Sequence, residues 1–158
     1  MGSVAAALGS QSAPVSLQWR GRTITLRPLT WKLISELERW LIQREAEART
    51  DSLALMVERG LMSADLLAQR IEAFTDDCVN NGRYSFGSER MNRVLSSVAG
   101  QGGELDAASL AGKFKLIALM MDLSIDDAIN VMHERGNELA TSLAMVLAEG
   151  MPPKEPAA

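Results

Sequence analysis

Two hydrophobic periods meet at Pro28, near the start of the chain. Over residues 15–26 apolar and polar side chains alternate, and Arg20-Gly21 interrupts the alternation. A period of two is typical of a β-strand with one buried face, and a two-residue interruption is typical of a hairpin turn. We therefore predict an antiparallel hairpin whose apolar side chains share one face. The predicted cross-strand pairs are Trp19 with Arg22, Leu17 with Ile24 and Val15 with Leu26.

After Leu29 the apolar residues recur at the spacing of an α-helix. Thr30 is the predicted N-cap, because its hydroxyl can accept a hydrogen bond from a free amide of the first turn. The helix is expected to reach Arg59 before Gly60 ends it, with a break into two segments at residues 50–52 as the alternative. Its core-facing stripe is predicted to contain Trp31, Ile34, Leu37, Trp40 and Leu41.

A second helix is predicted from Ser63 to the sequence Asn80-Asn81-Gly82. The two antiparallel helices are expected to cover the apolar face of the hairpin, with Trp31 and Leu37 packed against it. A short helix is predicted over residues 88–98, and the AGQGG sequence after it indicates a loop. The buried stripe of the second helix is predicted to contain Leu67, Ile71, Phe74 and Cys78.

The remaining residues predict three further helices, each opened by a capping side chain. The first begins at Asp106 or Ser109, the second at Ser124 and the third at Asn137. The predicted ends of the last two are Gly136 and Gly150. The predicted inward-facing residues are Leu110, Phe114, Ile117 and Met121 in the first helix, Ile125, Ile129 and Met132 in the second, and Leu139, Leu143, Val146 and Leu147 in the third.

These elements predict a mainly α-helical α+β fold, in which a small N-terminal β-hairpin joins a bundle of about five to six helices. A chain of 158 residues can bury a core without disulfide or metal support, so one domain with two lobes is expected. The predicted parts are a flexible N-terminal tail (1–14), the hairpin with a helical lobe (15–99), a flexible loop (100–106), the C-terminal helical lobe (107–150) and a disordered tail (151–158).

Charge and hydropathy argue against two classes of partner. The net charge is -4 and basic residues alternate with acidic ones, whereas nucleic-acid binding depends on clustered Lys and Arg. Arg20, Arg22 and Arg27 do cluster on the hairpin, where charged edge residues discourage pairing with other strands. No apolar run approaches the roughly 18 residues that cross a bilayer, and the first residues lack the basic start of a signal peptide. We expect a cytoplasmic protein that binds neither nucleic acid nor membrane.

The residues that could carry catalysis are few and scattered. His133 is the only histidine and Cys78 the only cysteine, and they belong to different predicted lobes. His133 falls in the last turn of a helix, where its partial charge favours the helix dipole, and Cys78 falls on an apolar helix face as a small core residue. The adjacent carboxylates at 76–77 and 126–127 point to different sides of their helices. We predict no catalytic residue, metal ligand or cofactor, and we expect that the protein is not an enzyme.

Methionines of the C-terminal lobe are the candidate partner-binding residues. The run KFKLIALMMDLSI (113–125) holds more apolar side chains than one helical stripe can bury, which predicts an exposed patch for a client or for self-association. Adjacent Met120 and Met121 point about 100° apart, so one of them is expected to face solvent or a partner. Filling of the core by these side chains is the alternative. The candidate set is Met120, Met121, Met132, Met145 and Met151.

Four short segments follow one another in a recognisable order. A strand, a Gly turn and a second strand end in the junction LRPLT (Leu26–Thr30), and an acidic amphipathic helix with SELE (35–38) follows. Further along, the apolar segment KLIALMM (Lys115–Met121) leads through a Leu-Ser step into the acidic helix start of LSIDDAINVM (Leu123–Met132). Over residues 15–149 this order resembles the tail assembly chaperones of long-tailed, siphovirus-like bacteriophages.

The resemblance implies a non-enzymatic protein of the host cytoplasm. Such a chaperone binds the long tape-measure protein during tail assembly and keeps its apolar helices from aggregating. The resemblance also implies recruitment of tail-tube protein, commonly through a longer, frameshifted form of the chaperone. The alternatives are a structural virion component, such as a head–tail connector or baseplate piece, and a small regulatory adaptor. A chaperone leaves the finished particle, whereas a structural component stays in it.

Overall fold

Six helices follow a two-stranded hairpin within residues 14–100 and 103–148, the part of the chain that the computed structural model describes. The predicted fold class, mainly α with an N-terminal hairpin, is confirmed. The predicted end at Gly150 and most of the predicted tails 1–14 and 151–158 lie outside the described residues. The elements are β1 (Ser16–Trp19), β2 (Arg22–Thr25), α1 (Trp31–Glu58), α2 (Ala64–Asn80), α3 (Glu89–Val98), α4 (Ala107–Met121), α5 (Ile125–Glu134) and α6 (Gly136–Ala148).

The hairpin has the predicted register, with Leu17 paired to Ile24 and Trp19 to Arg22. Its turn needs two residues with positive φ, because only that backbone twist matches the twist of the strands. Arg20 and Gly21 supply them, at φ 47° and 76°. The apolar side chains of both strands are buried on one face, and hydroxyl and amide groups pair across the other face.

α1 is one unbroken helix, so the alternative with a break at residues 50–52 is wrong. The hydroxyl of Thr30 accepts a hydrogen bond from the Leu33 amide at 3.2 Å, as an N-cap should. Within the helix, the hydroxyl of Thr50 donates to the carbonyl of Ala46 at 2.8 Å. This bond back to the preceding turn lets a polar residue stay inside the helix. The helix ends one residue before its cap at Arg59, next to the predicted stop.

The two halves of α1 have different surroundings. The first half carries all the buried residues of this helix, which are Leu33, Ile34, Leu37, Leu41 and Ile42. The second half, residues 43–58, pairs with α2, whose one buried residue is Cys78. The predicted stripe of α2 faces α1. Its residues Leu67, Ile71 and Phe74 are only half-buried, because α1 covers them from one side and is the main neighbour of this helix. We call residues 43–80 the arm.

The hairpin is covered by α6 and the end of α5 and not by the arm. β1 packs on α6, and the indole of Trp19 reaches Glu134 at the end of α5. After β2, the amide of Arg27 donates to the carbonyl of Met120 in α4 at 2.8 Å. The expectation that α1 and α2 together cover the hairpin is therefore wrong, although Leu37 does lie in the same apolar core.

α4 is the central helix of the fold. It packs against α1, α3 and α5 and so buries side chains on several sides rather than along one stripe. Gly112 allows the closest approach, because a Cβ at this position would lie 2.7 Å from Val94 Cγ2. Asp106, and not Ser109, is the N-cap. Leu110 is 40 % exposed, contrary to its predicted inward position, since it lies in the first turn and away from these neighbours.

The last two helices differ from prediction at their junction. α6 begins at Gly136, so Asn137 lies inside the helix rather than capping it. A single residue, Arg135, separates the helices, and its carbonyl accepts the amide of Leu139 at 2.8 Å. The innermost residues of α5 are Ala128 and Val131, while the predicted inner residues are only half-buried. The predicted inner face of α6 is confirmed, with Leu139, Leu143 and Val146 buried and Leu147 half-buried.

One apolar core contains residues of both predicted lobes. It draws on the hairpin, on the first half of α1 and on α3 to α6, together with Cys78 near the end of α2 and Tyr84 of the following loop. Within residues 14–100 and 103–148, none of the helices combines the length and the apolar character that a bilayer span requires.

Candidate functional site

The adjacent methionines of α4 belong to the core. Met120 is 0 % exposed and Met121 is 3 % exposed. The expectation that one of them faces solvent is wrong, because neighbours on three sides of α4 cover both directions. For these two residues the alternative interpretation, core filling, holds.

The other candidate methionines lie apart from one another. Met132 is half-buried on α5, and Met145 is 56 % exposed on α6. Met151 lies outside the described residues. The described part of the chain therefore contains no single methionine surface of the predicted kind, and Met145 and Met132 are the ones that a partner could reach.

Met132 lines a cleft in the C-terminal lobe. The cleft has a volume of about 320 Å³ and lies between the end of α3 and helices α4, α5 and α6. Its lining is largely apolar, with Lys113 at the rim. Such a cleft suits one or two apolar side chains of a partner. The main apolar residues of the lining are Val98, Ile117, Met132, Leu139 and Leu143.

The largest group of exposed apolar side chains lies at the tip of the arm. Leu61 in the turn between the helices is 69 % exposed, and Leu55 near the end of α1 is 53 % exposed. Met56 and Leu66 flank them at 37 % and 38 %. Within residues 14–100 and 103–148, no third helix packs over the two helices of the arm at this point, and these side chains are left exposed. We call these four residues the arm tip.

Sequence analysis did not identify the arm tip, although the signal was present. The segment LALMVERGLMSADLL (53–67) exceeds one apolar stripe in the same way as the run around Met120. The surplus in α4 is buried by three neighbouring helices, whereas the surplus in the arm is exposed. The difference depends on the tertiary neighbours, which the periodicity of a single segment does not reveal.

A polar cluster fixes the base of the arm to the loop before α3. Arg83 donates to both carboxylate oxygens of Glu45, from Nε at 2.9 Å and from Nη2 at 2.7 Å. The hydroxyl of Tyr84 donates to Glu45 Oε2 at 2.9 Å, and the Tyr84 side chain is 3 % exposed. The planar guanidinium matches the carboxylate in two bonds, which sets direction as well as distance. The cluster therefore holds the arm at a fixed angle to the core.

Burial and hydrogen bonding set the pKa values of this cluster. Burial raises the pKa of Tyr84, and donation to Glu45 raises it further. Burial alone would raise the pKa of Glu45, but the hydrogen bonds from Arg83 and Tyr84 outweigh it and hold that pKa below its ordinary value. Cys78 lies nearby, 1 % exposed, and burial raises the pKa of its thiol. The prediction of a small core cysteine is confirmed.

The hairpin arginines are bound within the molecule. Arg20 forms an ion pair with Glu134, and Arg27 donates from Nε to the carbonyl of Leu119 at 3.1 Å. The guanidinium of Arg22 lies 5.3 Å from the ring centroid of Trp19. These contacts orient the arginines toward the core, which explains their clustering without a phosphate ligand.

The other sequence candidates stay on separate elements. His133 is exposed in the last turn of α5, as predicted, whereas Cys78 is buried in α2. The hydroxyl of Ser124 accepts the amide of Asp127 at 3.1 Å, which places the neighbouring carboxylates at a helix start. Across the described ranges, no three His, Cys, Asp or Glu side chains are grouped as metal ligands.

Comparison of the chain with known protein families, with curated proteins and with solved structures gave no match. The functional assignment therefore depends on the arm and on the cleft.

Proposed function

We propose that the protein is a tail assembly chaperone of a long-tailed bacteriophage, which binds apolar helices of the tape-measure protein and keeps them soluble without catalysis. The supporting observation is the arm tip, where four large apolar side chains are between 37 % and 69 % exposed. Contiguous exposed apolar surface on a folded protein marks an interaction site.

Binding at the arm tip has a clear driving force. Each Å² of apolar surface removed from water contributes roughly 25 cal/mol, and both partners contribute surface. The tip is also accessible, because it lies at the far end of helices that leave the core after Ile42. Met56 adds an unbranched side chain that adapts to different apolar neighbours, which suits a client with many non-identical helices.

The cleft of the C-terminal lobe is the proposed second contact. Met132 lines it, and the exposed Met145 lies on one of the helices that form it. In this proposal the chaperone acts in the host cytoplasm, and it recruits tail-tube protein after it has bound the tape-measure protein. The arm tip receives the first apolar helix because it is the larger exposed surface.

The test is co-expression of the tape-measure protein with the parent chain or with Leu55→Ser/Leu61→Ser. We expect the soluble fraction of tape-measure protein to fall to the level seen without chaperone, since both side chains are exposed and their loss leaves the fold intact. The matched control is Leu110→Ser/Val79→Ser, which changes side chains that are 40 % and 61 % exposed away from the tip. Thermal melting of each variant checks the fold.

Two outcomes contradict the proposal. One is a folded Leu55→Ser/Leu61→Ser variant that protects the tape-measure protein as well as the parent does. The other is stoichiometric presence of the protein in finished particles, measured by mass spectrometry, which favours a structural virion component instead.

A further inference from the structure

One face of the arm carries a groove between its two helices. The groove has a volume of about 620 Å³, and its floor is apolar, formed by Leu53, Ile71 and Phe74. By helical spacing, Met56 and Leu67 continue the same faces one turn nearer the tip. From Leu67 to Asp77 the face is about 15 Å long at 1.5 Å per residue, which is close to three turns of a third helix.

The rim of the groove is basic on both sides. Arg49 of α1 and Arg70 of α2 line opposite walls, and the Arg49 guanidinium lies 4.0 Å from the ring centroid of Phe74. In the described ranges neither arginine forms an ion pair. Asp77 is the one carboxylate of the lining, and it already accepts a hydrogen bond from the Asn81 side chain.

Glu45 lies about 40° around α1 from Arg49, one turn nearer the core, and it is already bound in the cluster at the base of the arm. Glu47 and Asp51 are each about 160° around α1 from Arg49, and Glu72 is about 160° around α2 from Arg70. The groove therefore combines an apolar floor with a net positive rim, although the whole chain has a net charge of -4. An occupant that complements both features has apolar residues on one stripe and carboxylates on either side of it.

We infer that this groove binds an acidic amphipathic helix of the client, with Leu- or Met-like residues at i, i+4 and i+7 against the floor and Asp or Glu beside Arg49 and Arg70. The inference rests on the proposed function and assigns a class of segment to it. The apolar floor supplies most of the affinity, because exposed ion pairs are individually weak. The two arginines supply the selectivity, because they repel the Lys and Arg side chains of a basic helix.

The test uses two fluorescein-labelled peptides of about 18 residues with the same Leu stripe, flanked by Glu in one and by Lys in the other. Fluorescence anisotropy with the full chain should show tighter binding of the Glu peptide. Arg49→Glu/Arg70→Glu should weaken that binding on the order of tenfold and strengthen binding of the Lys peptide. Arg44→Glu/Arg59→Glu is the matched control, with two exposed arginines at other angles of α1 and at its end. Thermal melting must show that Arg49→Glu/Arg70→Glu is folded, and the control variant, with the same change in net charge, must not gain affinity for the Lys peptide.

Four results would overturn the inference. Three of them concern the peptides: neither peptide binds, both bind equally, or binding does not change in the double variant. The fourth is a concentration-dependent dimer that Arg49→Glu/Arg70→Glu dissociates. Such a dimer would assign the groove to a second copy of the chain. Failure here is separate from failure of the proposed function. Leu55→Ser/Leu61→Ser changes the tip and not the floor, so it can still abolish protection of the tape-measure protein when the peptides do not bind.

Discussion

At the base of the arm, the Glu45 carboxylate accepts three hydrogen bonds from two consecutive residues, Arg83 and Tyr84. Glu45 lies at the point of α1 where buried residues stop and the arm begins. Side chains of Glu45 and Arg83 are 24 % and 29 % exposed, so the pair is partly shielded from water. A single carboxylate therefore links the arm, the loop before α3 and the buried Tyr84 ring.

Substitution Glu45→Gln should destabilise the protein by about 1.5–3 kcal/mol at neutral pH, because it removes hydrogen bonds to a charged group. The pKa of Glu45 is held below its ordinary value of 4.5, so the unfolded chain takes up this proton more readily than the folded chain. The stabilisation is present above pH 4.5 and is lost as pH falls through the folded-state pKa. Urea denaturation at a series of pH values should show a shallower acid dependence for Glu45→Gln.

The control for this prediction is Glu58→Gln, an exposed carboxylate at the end of the same helix. It should leave the stability at neutral pH close to that of the parent, because the side chain is exposed. If the free energy of unfolding of Glu45→Gln falls with decreasing pH as steeply as that of the parent, the cluster does not couple protonation to folding.

At the scale of elements, local signals predicted most boundaries. The hydroxyls of Thr30, Ser63, Ser88 and Ser124 each accept the amide three residues later, as expected of N-caps. The hairpin register followed from alternation and from a two-residue turn. These features depend on residues only a few positions apart, so a single sequence contains the information that specifies them.

Predictions of side-chain burial were less accurate where burial depends on residues distant in sequence. Leu110 was expected inside and is exposed, while Met120 and Met121 share the core. The helical period identifies the apolar sides of α4, but three separate helices determine which of them are covered. For the same reason, the helical period did not predict that the side chains of the arm tip are exposed. Periodicity predicted a stripe on α2, whereas the lack of a third helix over the arm, in the part of the chain that the structure describes, is a property of the tertiary fold.

The arm should open more readily than the rest of the fold. Between Gln43 and Val79 the buried side chains are Met62 and Cys78, and few apolar contacts oppose local unfolding. Hydrogen exchange followed by mass spectrometry should therefore show faster exchange at residues 46–74 than in α4. Binding of the Glu-flanked peptide should slow exchange in the arm. Equal protection of the arm and α4 in the free protein would contradict this prediction.

At the scale of the whole molecule, the N-terminal hairpin is bound to the end of α5. The Trp19 indole donates to Glu134 Oε1 at 3.1 Å, across 115 positions of sequence. The guanidinium of Arg20 lies 4.7 Å from the centroid of the Trp19 ring and pairs with the same carboxylate. The donation from Arg20 lowers the pKa of Glu134. Trp19 itself is 3 % exposed, so the hairpin and the C-terminal helices share one core.

Substitution Trp19→Ala should therefore destabilise the predicted lobes 15–99 and 107–150 together, by about 3–5 kcal/mol, since it leaves a large cavity in their common core. Trp19→Phe keeps the six-membered ring and loses the bond to Glu134, so it should destabilise the protein less than Trp19→Ala does. Far-UV circular dichroism reports all helices, and the fluorescence of Trp31 and Trp40 reports α1. In urea both signals should change in one coincident transition for the parent and for each variant. Separate transitions in Trp19→Ala would mean that the helices after residue 106 unfold independently of α1, and that the hairpin does not couple them.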